Sequence, residues 1–142
     1  MIWLLRHGEA AEGSPDSERP LTEKGERQAK AAGLALSRLG AKVQACLTSP
    51  KVRAAGTARL ACEALGVEPR DESKLAGGPF DPEELAGELE EVLLVGHEPD
   101  FSMAVHKFTG AQVRLKKGGL AGVERGELRV LLRPTEIEAI VE

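Results

Sequence analysis

Two short runs without a single polar residue, Met1–Leu5 and Val92–Val95, constrain the fold most strongly. A strand that is apolar on both faces has to be covered on both faces, which is the situation of a parallel sheet held between helical layers. Each run stops abruptly in a polar, glycine-containing segment, Arg6-His7-Gly8-Glu9 after the first and Gly96-His97-Glu98-Pro99 after the second. Helical patterns fall between the runs. Thr22 stands as the N-cap of a helix in which Ala29, Ala32, Leu36 and Leu39 recur at helical spacing, and Gly40 supplies its C-cap. Ser49 as N-cap and Pro50 at N1 open a second helix that stops at Gly66. A third starts at Asp81-Pro82-Glu83-Glu84, with the acidic run Glu83–Glu91 as its exposed face, and a fourth runs from about Asp100 to Phe108. Further strands are expected at Val43–Thr48, within Val67–Leu75, and at Gln112–Leu115, Gly119–Glu124 and Glu127–Arg133. Residues 135–142 read as a final helix or strand. Alternating strands and helices predict an α/β three-layer sandwich with a mostly parallel central sheet, folded as one domain over 1–142.

Composition limits the function. Aromatic residues make up 3% of the chain, so the core has to be aliphatic. The net charge of −4 argues against a general nucleic-acid binder. Cys46 and Cys62 lack metal-site spacing and fall in a strand and a helix, as expected of reduced, buried thiols. No apolar run approaches the roughly 20 residues of a membrane span, and Met1–Leu5 is too short for the apolar segment of a signal peptide. A cytoplasmic protein is expected, without membrane or nucleic-acid partners, as a monomer or small homo-oligomer.

In sheets of this kind, ligands bind in the crevice at the carboxyl ends of the strands. That rule brings Arg6, His7, Gly8 and Glu9 together with Thr48, Ser49 and Arg53 from the second strand and helix, and with Gly96, His97 and Glu98 from the late strand. Two arginines and two histidines then share one edge. Guanidinium groups match phosphate oxygens as planar forks of donors. An imidazole is a nucleophile near neutral pH without a separate base. Glu9 is a candidate acid, or the group that orients His7, with a nearby carbonyl as the other candidate orienter. Arg19, in the loop before the first helix, is a candidate substrate guide or a solvated cap, and Thr57 is read chiefly as packing. Lys116-Lys117-Gly118-Gly119 is a basic turn that either rims the site or stays solvated. A metal held by the two histidines and Glu9 or Glu98 is disfavoured by the adjacent arginines, so neither metal nor cofactor is expected.

The combination of Arg6-His7-Gly8-Glu9, the Arg19–Gly25 segment, Ser49-Pro50 with Arg53 and Thr57, and Val95-Gly96-His97 resembles the histidine phosphatase superfamily, also called phosphoglycerate-mutase-like. The short chain and the Gly96-His97-Glu98-Pro99 form are similar to its small SixA-type protein-histidine phosphatases. The resemblance implies the phosphoglycerate-mutase-like fold and His7 as a nucleophile that forms a phosphohistidine intermediate. It also implies a phosphate pocket of Arg6, Arg53 and His97. Two guanidiniums and a protonated His97 would stabilise the charge of the transition state.

Members that act on esters carry a glutamate that protonates the leaving oxygen. None of Glu68, Asp71, Glu72, Asp81, Glu83 and Glu84 matches that motif. A labile P–N bond needs less acid help, and fewer than 45 residues separate Arg53 from His97, too few for a cap domain. The expected substrate is therefore phosphohistidine on a signalling or phosphotransfer protein, handled without metal. The alternative is a broad small-molecule phosphomonoesterase.

Overall fold

The computed structural model describes residues 1–142. Six strands, β1 (Ile2–Arg6), β2 (Ala45–Thr48), β3 (Pro69–Asp71), β4 (Val92–Gly96), β5 (Leu120–Glu124) and β6 (Glu127–Leu132), form one sheet in the order β3-β2-β4-β1-β5-β6. The pairings β2–β3, β2–β4 and β1–β4 are parallel, whereas β5 and β6 continue the sheet antiparallel. Helices α1 (Glu23–Arg38), α2 (Val52–Leu65) and α5 (Pro134–Val141) lie on one face, and α3 (Pro82–Ala86) and α4 (Asp100–Thr109) on the other. Right-handed crossovers explain the faces taken by α1, α2 and α3. The chain walks outward from β1 to β2 to β3 under α1 and α2, then reverses direction to reach β4, and a reversed right-handed step must cross on the opposite face.

Alternation along the two apolar strands supplies both cores. Trp3, Leu5, Leu93 and Val95 pack with Ala32, Leu36, Ala58 and Ile137, while Ile2, Leu4, Val92 and Leu94 pack with Phe101 and Val105. Cys46 and Cys62 are buried and free, as expected. No helix is long and apolar enough to cross a membrane.

Several boundaries differ from the sequence reading. Ser49 does not open α2 and Pro50 is not its first residue. The helix begins at Val52, and the Ser49 hydroxyl accepts instead from the Lys51 N–H at 3.2 Å. The acidic run is helical only to Ala86, because Gly87 has φ of 60° and turns the chain out. Residues 135–142 resolve as helix, opened by Pro134 and by reciprocal bonds between Arg133 and Glu136. Gln112–Leu115 is not a strand. The backbone groups of Leu115 go to side chains: its N–H donates to the Glu98 carboxylate at 3.1 Å, and its carbonyl accepts from Arg6 at 2.9 Å. Both partners are charged residues from the carboxyl ends of the strands.

Candidate active site

Register builds the site. Arg6 of β1 lies opposite Gly96 of β4, and Thr48 of β2 lies opposite Val95. Three parallel strands therefore end level, and the next residues, His7, Ser49 and His97, leave the sheet together. The ladder continues one step past the strand ends, with the His7 N–H donating to the Gly96 carbonyl at 3.0 Å and the Ser49 N–H to the Val95 carbonyl at 2.9 Å.

His7, Arg53 and His97 are all buried. The imidazole rings of His7 and His97 stand 5.2 Å apart between centroids. His7 Nδ1 donates to the Gly8 carbonyl at 2.7 Å, which leaves Nε2 as the unprotonated nitrogen of the neutral ring. Gly8 is itself clamped: its N–H donates to Thr57 Oγ1 at 3.0 Å, and that hydroxyl donates to the Arg53 carbonyl at 2.8 Å. Thr57 thus joins the loop after β1 to the helix that carries Arg53, and does more than pack. Gly8 also meets the first turn of α1. A Cβ on Gly8 would sit 2.5 Å from the Gly25 carbonyl oxygen, and one on Gly25 would sit 2.0 Å from the Glu9 oxygen. Both positions require glycine because two backbones touch there.

Burial and the neighbouring Arg53, Arg6 and Lys117 push the His7 pKa down to about 4, although the bond to Gly8 opposes the shift. Burial, His7 and Arg53 push His97 down to about 3. His97 is therefore neutral in the free site at pH 7. Taking up a proton here means charging a buried ring beside a guanidinium. His97 Nε2 is 2.8 Å from the Ser49 hydroxyl, and its Nδ1 is buried without a protein partner.

The cavity above these rings has a volume of about 260 Å³, and Arg19, Lys51, Lys117, Glu98 and Asp100 join Arg6, His7, Arg53 and His97 around it. A larger cavity of about 720 Å³ lies between Phe80 and Met103 and holds none of the four convergent residues. All four convergent residues line the smaller one. Its rim includes Arg19, whose Nε donates to the Ala11 carbonyl at 2.8 Å and whose terminal nitrogen pairs with Asp16 at 3.1 Å.

Glu9 lies elsewhere. It lines a neighbouring basic cavity with Lys24 and Lys116, and the Gly8 carbonyl, not Glu9, is the partner of His7 Nδ1. None of the carboxylates between Glu68 and Glu84 lines the site. Glu98 does, but one of its oxygens accepts from the Ser102 N–H at 2.7 Å and the other from the Leu115 N–H. No group of three or more His, Cys, Asp or Glu side chains is placed to hold a metal ion.

Two residues escaped the sequence reading. Asp16 caps the Arg53 guanidinium from outside, accepting from it through both its carbonyl at 2.8 Å and its carboxylate at 3.1 Å. Bonds from Arg19 and Arg53 hold the Asp16 carboxyl below the usual carboxylate range. Asp100, at the start of α4, is the second carboxylate on the cavity wall. The Asp-Ser-Glu-Arg-Pro stretch offered no periodicity that would have singled out Asp16, and only the position of Asp100 just beyond His97 hinted at its place on the cavity wall.

A neutral imidazole with one nitrogen anchored, faced by two guanidiniums and further cations, is equipped to accept a phosphoryl group. The comparisons agree with that class. Residues 2–81 match the profile of the histidine phosphatase superfamily (branch 1). An uncharacterized protein of Picosynechococcus sp. is 35% identical over 145 residues, covering 91% of this chain and 87% of that protein. The chain belongs to the histidine phosphatase superfamily, branch 1.

Among solved structures, the protein histidine phosphatase SixA in complex with tungstate superposes with a TM-score of 0.82 at 21% identity, covering 94% of this chain and 97% of that one. A candidate alpha-ribazole-5'-P phosphatase of Escherichia coli superposes with a TM-score of 0.69 at 20% identity, covering 92% and 94%. At these identities the likeness is one of fold.

Proposed function

We propose that the protein is a phosphatase that hydrolyses phosphohistidine on another protein through a covalent intermediate on His7. The observation that carries this reading is the His7 ring: Nδ1 is tied to the Gly8 carbonyl and the ring is neutral, so Nε2 is free to attack among Arg6, Arg53 and His97. In the first step Nε2 bonds to phosphorus and the P–N bond of the substrate breaks. The departing imidazole keeps the electron pair and takes a proton from solvent. In the second step water attacks the same phosphorus and the bond to Nε2 breaks. Inorganic phosphate leaves, and a proton is released.

Arg6, Arg53 and the rim cations stabilise the equatorial oxygens, where charge accumulates in a loose transition state. His97 Nδ1, buried without a partner, is the donor left for a phosphoryl oxygen, and a bound dianion raises its proton affinity. Glu98 is committed to backbone donors, which suits a leaving group that needs little acid help. The SixA likeness supports the same substrate class.

A second reading, a small-molecule phosphomonoesterase, takes Asp100, a carboxylate residue on the cavity wall, as the candidate acid for an ester oxygen. The deciding experiment compares kcat/KM on a phosphohistidine-labelled phosphotransfer domain with a panel of phosphomonoesters, for wild type and His7→Ala, with chelator present. The expected result is a preference for phosphohistidine that is lost in His7→Ala. Intact phosphohistidine alongside rapid ester hydrolysis would move the function to the second reading. Activity retained by His7→Ala would sink both.

A further inference from the structure

Beside the His7 cavity lies a second one, of about 590 Å³, lined by no hydrophobic side chain. Arg6, Lys24, Lys116, Lys117 and Arg133 line it, with Glu9 as the only acid. Arg6 and Lys117 line both cavities, so the two adjoin along those side chains. Arg133 is neutralised by Glu136 at 3.2 Å. Arg6, Lys24, Lys116 and Lys117 take part in none of the ion pairs of the protein.

Four unpaired cations crowd one concavity of a chain whose net charge is −4. Their mutual repulsion works against folding, and the core does not require it.

The main chain that carries the cations is also held in place. The Gly118 N–H, next to Lys117, donates to the His7 carbonyl at 2.9 Å, and the Arg6 N–H donates to the Gly119 carbonyl at 3.0 Å. The Lys116-Lys117 turn is thereby fastened to the strand end that carries the candidate nucleophile. Lys24 sits in the α1 turn whose Gly25 abuts Gly8 and Glu9. Both sources of lysine are therefore positioned by the backbone of Arg6–Glu9. Arg6 has its Nε buried without a partner and one terminal nitrogen on the Leu115 carbonyl.

We propose that this concavity is a second anion subsite, which takes a carboxylate or phosphate carried by the same substrate whose phosphoryl group is placed on His7. It rests on the reading of His7 as phosphoryl acceptor, not on the leaving group being histidine. The shared chemistry has two sources: the second phosphate of a small bisphosphorylated ester, or an acidic side chain beside the phosphorylated residue of a protein. Lysines on mobile stems make it tolerant of geometry, in contrast to the arginine forks over His7.

The test uses a Lys24→Glu/Lys116→Glu variant and its Lys24→Gln/Lys116→Gln counterpart, each checked for an unchanged far-UV spectrum. Three substrates are compared: p-nitrophenyl phosphate, fructose 1,6-bisphosphate, and a phosphohistidine-labelled phosphotransfer domain. Charge reversal is expected to lower kcat/KM for one of the last two at least tenfold more than for p-nitrophenyl phosphate, through KM. Neutralisation is expected to give a smaller loss, and added salt to narrow the gap. A selective loss on the bisphosphate identifies a small-molecule anion, and one on the domain identifies acidic side chains of a protein. A ratio that moves less than twofold for both overturns the subsite. A wild type that ignores the phosphorylated domain but shows the charge effect on the bisphosphate overturns only the phosphohistidine reading.

Discussion

Gly25→Ala opposes two effects of known size. Gly25 is the third residue of α1, where alanine is favoured over glycine by about 1 kcal/mol, so helix propensity alone says the change stabilises. The structure says otherwise, because the new Cβ would lie 2.0 Å from the Glu9 carbonyl oxygen, with both atoms on backbone. Restoring ordinary contact requires α1 and the Gly8–Glu9 loop to part by more than 1 Å, and overpacking of this kind costs about 1–3 kcal/mol. The steric cost wins, and the net effect is a loss of up to about 2 kcal/mol, or up to about 8 °C in Tm for a chain of this size.

The movement falls on the loop whose Gly8 carbonyl anchors His7, and a 1 Å error at a reacting group costs about 10²-fold in rate. The assay is kcat/KM on a phosphomonoester together with thermal melting. Gly56→Ala serves as control, since its Cβ meets only the flexible Leu21 side chain at 3.3 Å. A Gly25→Ala protein that melts higher than wild type and keeps its rate within threefold would refute the reasoning.

Other perturbations probe the same loop and its charges. His7 and His97, with pKa values pushed to about 4 and 3, should show no imidazole titration by NMR between pH 5 and 8 in the free protein, and midpoints near the ordinary value would show that burial has been misjudged. Because the unfolded chain protonates these rings near pH 6.5 and the folded one only near 4 and below, the unfolded state binds more protons in that window. The urea midpoint should therefore fall as pH drops from 6.5 towards 4 and level off above 7, and less steeply in His7→Ala. Thr57→Val removes the acceptor for the Gly8 N–H and should cost about 1–3 kcal/mol and lower kcat. Full activity and unchanged Tm would show that the clamp is dispensable. Glu98→Gln replaces one of two accepting oxygens with a donor, strands a backbone N–H, and should lower Tm by roughly 3–8 °C. An unaltered Tm would contradict the two-bond geometry.

Much of the site was legible because it follows directly from strands that were themselves legible. Once Met1–Leu5 and Val92–Val95 were read as doubly buried strands, Arg6, His7 and His97 had to leave the sheet at their ends, and Arg53 followed within a turn of the next helix. The errors arose where a local pattern had a tertiary owner. Gln112–Leu115 alternates like a strand, yet Arg6 and Glu98 take the backbone polar groups of Leu115, and the segment joins no strand of the sheet. Ser49-Pro50 reads as a helix start, yet the Ser49 hydroxyl lies beside His97 and α2 begins three residues later. Glu9 is two residues from His7 in sequence, but it lines the neighbouring cavity with the lysines. Asp16 was invisible because its role depends on Arg53, which lies 37 residues away.

The connector from α4 to β5 draws part of its anchorage from the charged side chains of the pocket. Arg6 and Glu98 each hold a backbone group of Leu115, whose own side chain is buried in the second core. Loss-of-function screens would therefore misfile these two positions. Substituting either one both empties part of the pocket and unpins a stretch of main chain, so its phenotype mixes chemistry with local unfolding. Exchange of the Leu115 amide separates the two, because a purely catalytic lesion leaves its protection intact and a lost anchor does not.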